Sequence, residues 1–462
     1  MDPLDDRRGS RVLATETDPV KMGAILEHHL QVPGGPPFEV VRCQPLFTRG
    51  GESRSLFQYD VTLRDADGRE WQEAVSAVAY GGERTRKAWA RLKLAQLVEA
   101  RTEPSIQRAA YVADRDLLLQ VFPFDHKLLA LEPLMEGSLA ELRDPIIARF
   151  GPGEWRLDEW QSEAIRYRVD LRASVKLTVS ATESRSGRTW DRRFFAKIYA
   201  DSDQVERAWA VQQDLTSALR EANEPFGLAP LAAYLPNHRV LVQDEVPALS
   251  LRHVIRRADP EEAPSAVRRA ARTVAALHRL PVTAPEHRTE LGRTDPKRLN
   301  RVAETLRNSH PDLASAVAEI EAKILADLDT AGDMPSVPVH GDLKPLHLLL
   351  EEERVVLLDL DKFAAGDPML DVANMLVLLR RERDVGAALA RVFEVEYFAH
   401  VPASWQQRLA PHYAWSLLRD AATFAMGLGK NPTAAHAKRP AKWDQTVSFL
   451  VDEARAILVS RA

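Results

Sequence analysis

From residue 38 onward, apolar and polar positions alternate along the chain. In "SLFQYDVTL" (55–63), Phe57, Tyr59, Val61 and Leu63 share one face of an extended segment, which predicts a half-buried strand. The turn-rich "DADG" follows, then a second extended run, "WQEAVSAVAY". Next come a helical stretch, "RTRKAWARLKLAQLVEA", and the strand "DLLLQVFPF". The same order returns later as "ASVKLTVSA", the turn "TESRSG", "RTWDRRFFAKIYA", the helix "SDQVERAWAVQQDLTSALREA" and the strand "HRVLVQDEV". After "DEVPALSL" the period changes. "SAVRRAARTVAALHRL" places Val267, Ala271, Val274 and Leu277 on one face of an amphipathic helix, and the stretch from 376 to 462 reads as mostly helical. Trp405, Trp415, Phe424 and Trp443 in that stretch are expected as core residues, and His278 as a packed or surface histidine.

The two β-rich stretches overlay residue by residue. Gly68, Arg69, Trp71 and Tyr80 fall on Gly187, Arg188, Trp190 and Tyr199, and "KAWA" at 87–90 falls on "RAWA" at 207–210 one residue out of register. This predicts a duplicated module. The second copy carries Lys197 in "FFAKIY" where the first has Val78. The expected division is a loosely ordered N-terminal arm (1–36), an N-terminal cap module (37–150), a second β-rich lobe (151–247) and a helical lobe (248–462).

Composition narrows the classes. With 462 residues, more than one domain is expected. The chain has 62 basic and 67 acidic residues, net −5, which argues against a nucleic-acid partner held by bulk charge. A single cysteine, Cys43, excludes a disulfide framework. The polar start "MDPLDDRRGS" does not read as a signal peptide, and no apolar run approaches the roughly 20 residues of a membrane span. A soluble, cytoplasmic protein with no membrane partner is expected.

The chemistry concentrates in "VHGDLKPLHLLL" (339–350) and "VVLLDLDKF" (355–363). Read as a hairpin following a loop, the second stretch would carry Asp359 and Asp361 on one strand face, with Leu360 turned inward. Asp342 and His347 would then lie near the strand end. Carboxylates so close repel one another unless a cation intervenes, and an oxygen-rich donor set suits magnesium or manganese. In "GDPMLDVANML", Asp367 reads as a helix cap, and Asp371 as an anchor accepting backbone hydrogen bonds from the loop.

The motif "HGDLKPLHLLL…LLDLDKFAAGDPMLDVA" resembles the aminoglycoside and choline phosphotransferase family, kinase-like enzymes that move the γ-phosphoryl of ATP to a small-molecule hydroxyl. The resemblance is strong over 337–376 and fair over 190–280. It implies an α+β, bilobal protein-kinase-like fold, here with an extra N-terminal β-rich module resembling a duplicated N-lobe. It implies Asp342 as the catalytic base, Asp359 as the principal metal ligand, and Lys197 on the α/β-phosphates. Glu245 and Val246 would offer backbone groups to adenine. ATP and Mg2+ are the implied cofactors, and a sugar, amino sugar or aminoglycoside-like molecule the implied acceptor. His347 stands where the family usually has Asn. As a neutral imidazole it could ligate the ion and favour Mn2+, or it could only hydrogen-bond the loop backbone. The extra module resembles that of capped maltokinase-like sugar kinases. No glycine-rich loop is present in "RVDLRASVKL". That departure leaves a second expectation open, a catalytically impaired kinase-like regulator that binds nucleotide or a partner.

Overall fold

The computed structural model describes residues 16, 18–49, 54–81, 83–94, 101–102, 105–222, 224, 226–257, 262–281, 296–331, 336–352, 354–382, 385–426 and 441–460. The fold is α+β. The described residues divide into two compact units, one from the chain up to Ser202 with 235–240, the other from 203–234, 241–426 and 441–460.

In the first unit, strands Phe38–Arg49, Ser55–Asp65 and Glu70–Ala79 form an antiparallel meander. Strand Leu117–Val121 pairs with the third strand, and Ala109–Val112 with Leu117–Val121. Phe57, Tyr59, Val61 and Leu63 all turn into the core, as their alternation predicted. The expected loose arm needs correction, because Pro19–Leu30 is a helix. Asp18 caps it through hydrogen bonds from the Val20 and Lys21 amides, proline opens it, and Met22, Leu26 and Leu30 bury a stripe against the sheet. The apolar spacing was visible in "DPVKMGAILEHHL", and the "VPGGPP" turn that follows it obscured the helix.

A second meander, Trp155–Arg168, Arg172–Glu183 and Thr189–Tyr199, buries Val175, Leu177, Val179 and Ala181. The succession of elements repeats that of the first module. Each meander is followed by a helix (Arg84–Leu94, then Ser202–Ala222) and then by a further pair of strands, the later pair being Leu231–Leu235 and Val240–Asp244. The hairpin turns match as well, since Gly68 and Gly187 both adopt positive φ, 82° and 63°. The copies differ at one informative place. Val78 is fully buried with Leu56, Tyr80 and Val169, whereas Lys197 is half-exposed on its strand opposite Ser174.

The second unit is built around helices. Glu262–Arg279 buries Val267, Ala271, Val274 and Leu277 in a core shared with Leu299, Ile320, Phe393 and Trp415. Trp405 and Phe424 pack against that core, and Phe424 meets Trp443 edge to face. The motif region is clamped at its base, where strands Val337–Val339 and Ala364–Gly366 pair antiparallel. Between them, Leu348–Leu350 and Val355–Leu357 form a hairpin, and Phe226–Leu228 adds parallel to its outer strand. Among the described residues, no helix is long and apolar enough to cross a membrane.

Candidate active site

The loop after Val339 is pinned from below. The buried Asp371 carboxylate accepts the His340 amide at 2.6 Å and the Gly341 amide at 3.0 Å, as an anchor should. Asp371 is in turn held by His278 Nε2 at 3.3 Å, and His278 Nδ1 meets the Tyr397 hydroxyl at 2.8 Å. His278 is thus a packed core histidine. Asn374, one helical turn past Asp371, donates to the Leu343 carbonyl at 2.5 Å. Gly341 is obligatory for two reasons: its φ is 76°, and a Cβ there would lie 2.3 Å from the Lys362 carbonyl oxygen. That contact brings the two halves of the motif together.

Asp342 emerges from this scaffold with its side chain mostly covered. Lys344 Nζ lies 2.7 Å from one carboxylate oxygen and Lys362 Nζ 3.3 Å from the other. Burial alone would raise the Asp342 carboxyl, but the two ammonium groups outweigh it and hold the group below its ordinary value. The same burial lowers Lys362, with Asp342 opposing. Asp342 is therefore ionised at neutral pH.

The hairpin does not extend as far as its alternation suggested. The strand stops at Leu357, Asp359 adopts left-handed φ and ψ of 60° and 58°, and Leu360–Lys362 is a 3-10 turn. The expectation that Asp359 and Asp361 share a strand face is corrected accordingly, although Leu360 does pack against the core. A non-glycine residue in this conformation is strained by roughly 1–3 kcal/mol and is typically found at functional sites. His347 Nε2 lies 3.7 Å from the Asp359 carboxylate, and its ring stacks on that of His340 with centroids 5.4 Å apart. Burial pushes the His347 imidazole down to about 4, with His340 acting in the same sense and Asp359 opposing. Its Nδ1 is buried with no hydrogen-bond partner. The nitrogen that faces Asp359 is Nε2, and a neutral imidazole paired in this way with a carboxylate is a donor set that suits a divalent cation.

Asp367 does more than cap. One oxygen accepts the Met369 amide at 2.9 Å, and the other meets Arg408 Nε at 2.5 Å and His412 Nε2 at 3.0 Å, all buried. Burial would raise it, but His412 and Arg408 prevail and hold it at about 2. These two partners had no sequence signal, since a pair so far apart in the chain meets only in the fold. Lys344 could have been found from its place two residues after Asp342, whereas Lys362 required the Gly341 contact.

Lys197 lies on the third strand of the second meander, in the first unit. Glu245 and Val246 form the extended link after strand Val240–Asp244, and the Val246 carbonyl accepts the Ala248 amide at 2.8 Å. Asp342, His347 and Asp359 are the sequence-named residues that one loop assembly gathers. A further cluster, unforeseen from the sequence, groups Asp125, His126 and Asp170 in the first unit.

The model of the phosphotransferase enzyme family matches residues 183–409. That stretch is similar to this family of phosphotransferases. The match spans Lys197, the loop assembly and the Asp367 anchor. Among solved structures, the chain is similar to the ADP-bound aminoglycoside phosphotransferase APH(2'')-Ib, at 12% identity and a TM-score of 0.41, covering 69% of this chain and 99% of that one. It is also similar to a choline/ethanolamine kinase family protein from Mesorhizobium loti, at 14% identity and 0.42, covering 70% and 94%. A macrolide 2'-phosphotransferase, MphH from Brachybacterium faecium, is 18% identical with a TM-score of 0.35, covering 70% and 98%. No curated protein matches the chain.

Proposed function

We propose that this phosphotransferase is an ATP-dependent kinase acting on the hydroxyl of a small molecule, a sugar or amino sugar. The observation that carries the reading is Asp342, an ionised carboxylate on a loop held rigid by Asp371 and Asn374. The acceptor oxygen attacks the γ-phosphorus of ATP, the bond to the bridging oxygen breaks, ADP leaves, and the hydroxyl proton passes to Asp342. Lys344 and Lys362 steady that carboxylate. Lys197 serves the α/β-phosphates, and the backbone of Glu245 and Val246 the adenine. Asp359 and His347 would hold Mg2+ or Mn2+, which when bound neutralises phosphate oxygens. Residues 37–150 act as a cap module without a nucleotide site, because Val78 is packed where Lys197 stands in the second copy.

The competing reading, a kinase-like regulator without turnover, is supported by the turn that replaces a glycine-rich loop. Strands Trp155–Arg168 and Arg172–Glu183 join through a tight turn in which Asp170 has a φ of 58°. ADP release from Mg·ATP or Mn·ATP, measured over a sugar and aminoglycoside panel in wild type and Asp342→Asn, separates the two. Release that depends on acceptor and on Asp342 supports the kinase; nucleotide binding without such release supports the regulator.

A further inference from the structure

The registers of the two meanders allow their strand pairs to be matched one by one. In the first copy Leu56 pairs with Val78, and in the second Ser174 pairs with Lys197. Two residues on, Arg54 and Tyr80 of the first copy correspond to Arg172 and Tyr199 of the second. Arg172 and Tyr199 are themselves direct cross-strand partners. Residues two apart on a strand share a face, so Ser174 and Lys197 stand on the same face as this pair.

The first copy shows what such a pair does. Tyr80 donates its hydroxyl to Asp170 Oδ2, and Arg54 Nη2 lies 3.4 Å from the same oxygen. Arg54 also donates to the Val169 carbonyl at 2.8 Å, and the Val169 side chain packs with Leu56 and Val78. The arginine and tyrosine thus hold an anion that the chain itself supplies, and apolar neighbours seal it in. In the second copy the sealing pair is replaced by Ser174 and Lys197. Both are half-exposed, as is Arg172, with Tyr199 buried beside them. Arg168 lies directly opposite Arg172 across the hairpin, and like charges so placed repel unless an anion joins them. The hairpin turn leaves little for a phosphate, since Asp125 takes the Asp170 amide and the Arg168 carbonyl takes the Leu171 amide. Side chains must then do what a glycine-rich turn does with backbone amides.

We propose that Arg172 and Tyr199, with Lys197, form a polyphosphate subsite on the second meander. They hold the nucleotide phosphates as Arg54 and Tyr80 hold the Asp170 carboxylate. A guanidinium presents paired N–H donors that match phosphate oxygens, and the phenol adds one more. The proposal rests on the kinase reading for the role of Lys197.

Titration calorimetry of the full chain with ATP and with adenosine tests it without turnover. Arg172→Gln should weaken ATP binding at least about tenfold and leave adenosine within about twofold of wild type. Arg172→Lys, which keeps the charge, should retain most of the ATP affinity, and Tyr199→Phe should lose about threefold. The matching change in the first copy, Arg54→Gln, should lower the thermal midpoint but leave ATP affinity within about twofold, because its anion is part of the chain. ATP bound by Arg172→Gln as tightly as by wild type overturns the subsite. So does an equal loss for ATP and adenosine, a loss of ATP affinity in Arg54→Gln instead, or a wild type that binds no ATP. The kinase reading fails separately, if ATP binds but no acceptor elicits Asp342-dependent ADP release.

Discussion

Two clusters of carboxylate and imidazole occur in this chain, and they are built on opposite plans. In the first unit, Asp125 accepts the Lys127 amide at 2.8 Å, the Asp170 amide at 2.8 Å and the Tyr167 hydroxyl at 3.0 Å. Asp170 receives the Tyr80 hydroxyl, Arg54 Nη2 at 3.4 Å, His126 Nδ1 at 3.3 Å and Lys127 Nζ at 3.7 Å. Asp125 and Asp170 are buried and tie the turn at 169–171 to the segment after Leu117–Val121, and burial together with the neighbouring Asp170 pushes the Asp125 carboxyl up to about 6. In the second unit, Asp342 and Asp359 keep partly open side chains, and His347 retains a nitrogen with no partner. Each cluster keeps one buried atom without a hydrogen bond, Asp170 Oδ1 in the first and His347 Nδ1 in the second, so what separates them is the tie that Asp125 and Asp170 make between backbone segments in the first and the open carboxylates in the second.

The sharpest contrast is expected from Asp342→Asn, which should slow transfer by roughly 10² to 10⁴ while leaving ATP affinity and the urea midpoint nearly unchanged. Asp170→Asn should do the reverse, destabilising by about 3 kcal/mol because it leaves Arg54 and Lys127 without their buried partner. Urea denaturation of the full chain reads this loss. Mn2+ should raise the thermal midpoint of wild type and Asp170→Asn alike, but not that of Asp359→Ala. If Mn2+ loses its effect in Asp170→Asn instead, the roles of the two clusters are exchanged.

A third, self-satisfied group gives a pH test. Asp367 is held at about 2, below the ordinary carboxylate value near 4, by His412 and Arg408. A depressed carboxylate stabilises the fold above its unfolded value, and that contribution fades as pH falls through the folded value. It should amount to about 2 kcal/mol near neutrality, with the pH-dependent part disappearing between about pH 4 and pH 2. Asp367→Asn should therefore be costly at pH 7, and the stability gap to wild type should narrow across that window. A gap independent of pH would show that the cost comes from packing alone.

The smallest effects concern His347. Asn restores an oxygen donor, so Mg2+-supported transfer should survive, with Mn2+ losing any advantage. Ala should weaken metal affinity by at least about tenfold, the lower end of what losing even an outer-shell partner costs. Asn and Ala behaving alike in a metal titration would falsify the ligand role while leaving Asp342 untouched.

Local chemistry was legible along the chain wherever spacing alone sets it. Phe57, Tyr59, Val61 and Leu63 turned inward because strand side chains alternate, and the same alternation recurred 118 positions on at Val175, Leu177, Val179 and Ala181, with Gly68 and Gly187 both in positive-φ turns. The loop His340 to His347 and the anchoring role of Asp371 were likewise readable, since a short motif carries its own geometry. The left-handed Asp359 was not, because a strand's alternation gives no notice of where the strand stops. The cation excess around Asp342 also needed the fold. Lys362 reaches it through a backbone contact that only Gly341 permits. Charge around a site depends on which distant segments converge there, and convergence is decided by burial of the apolar faces rather than by the charged residues themselves.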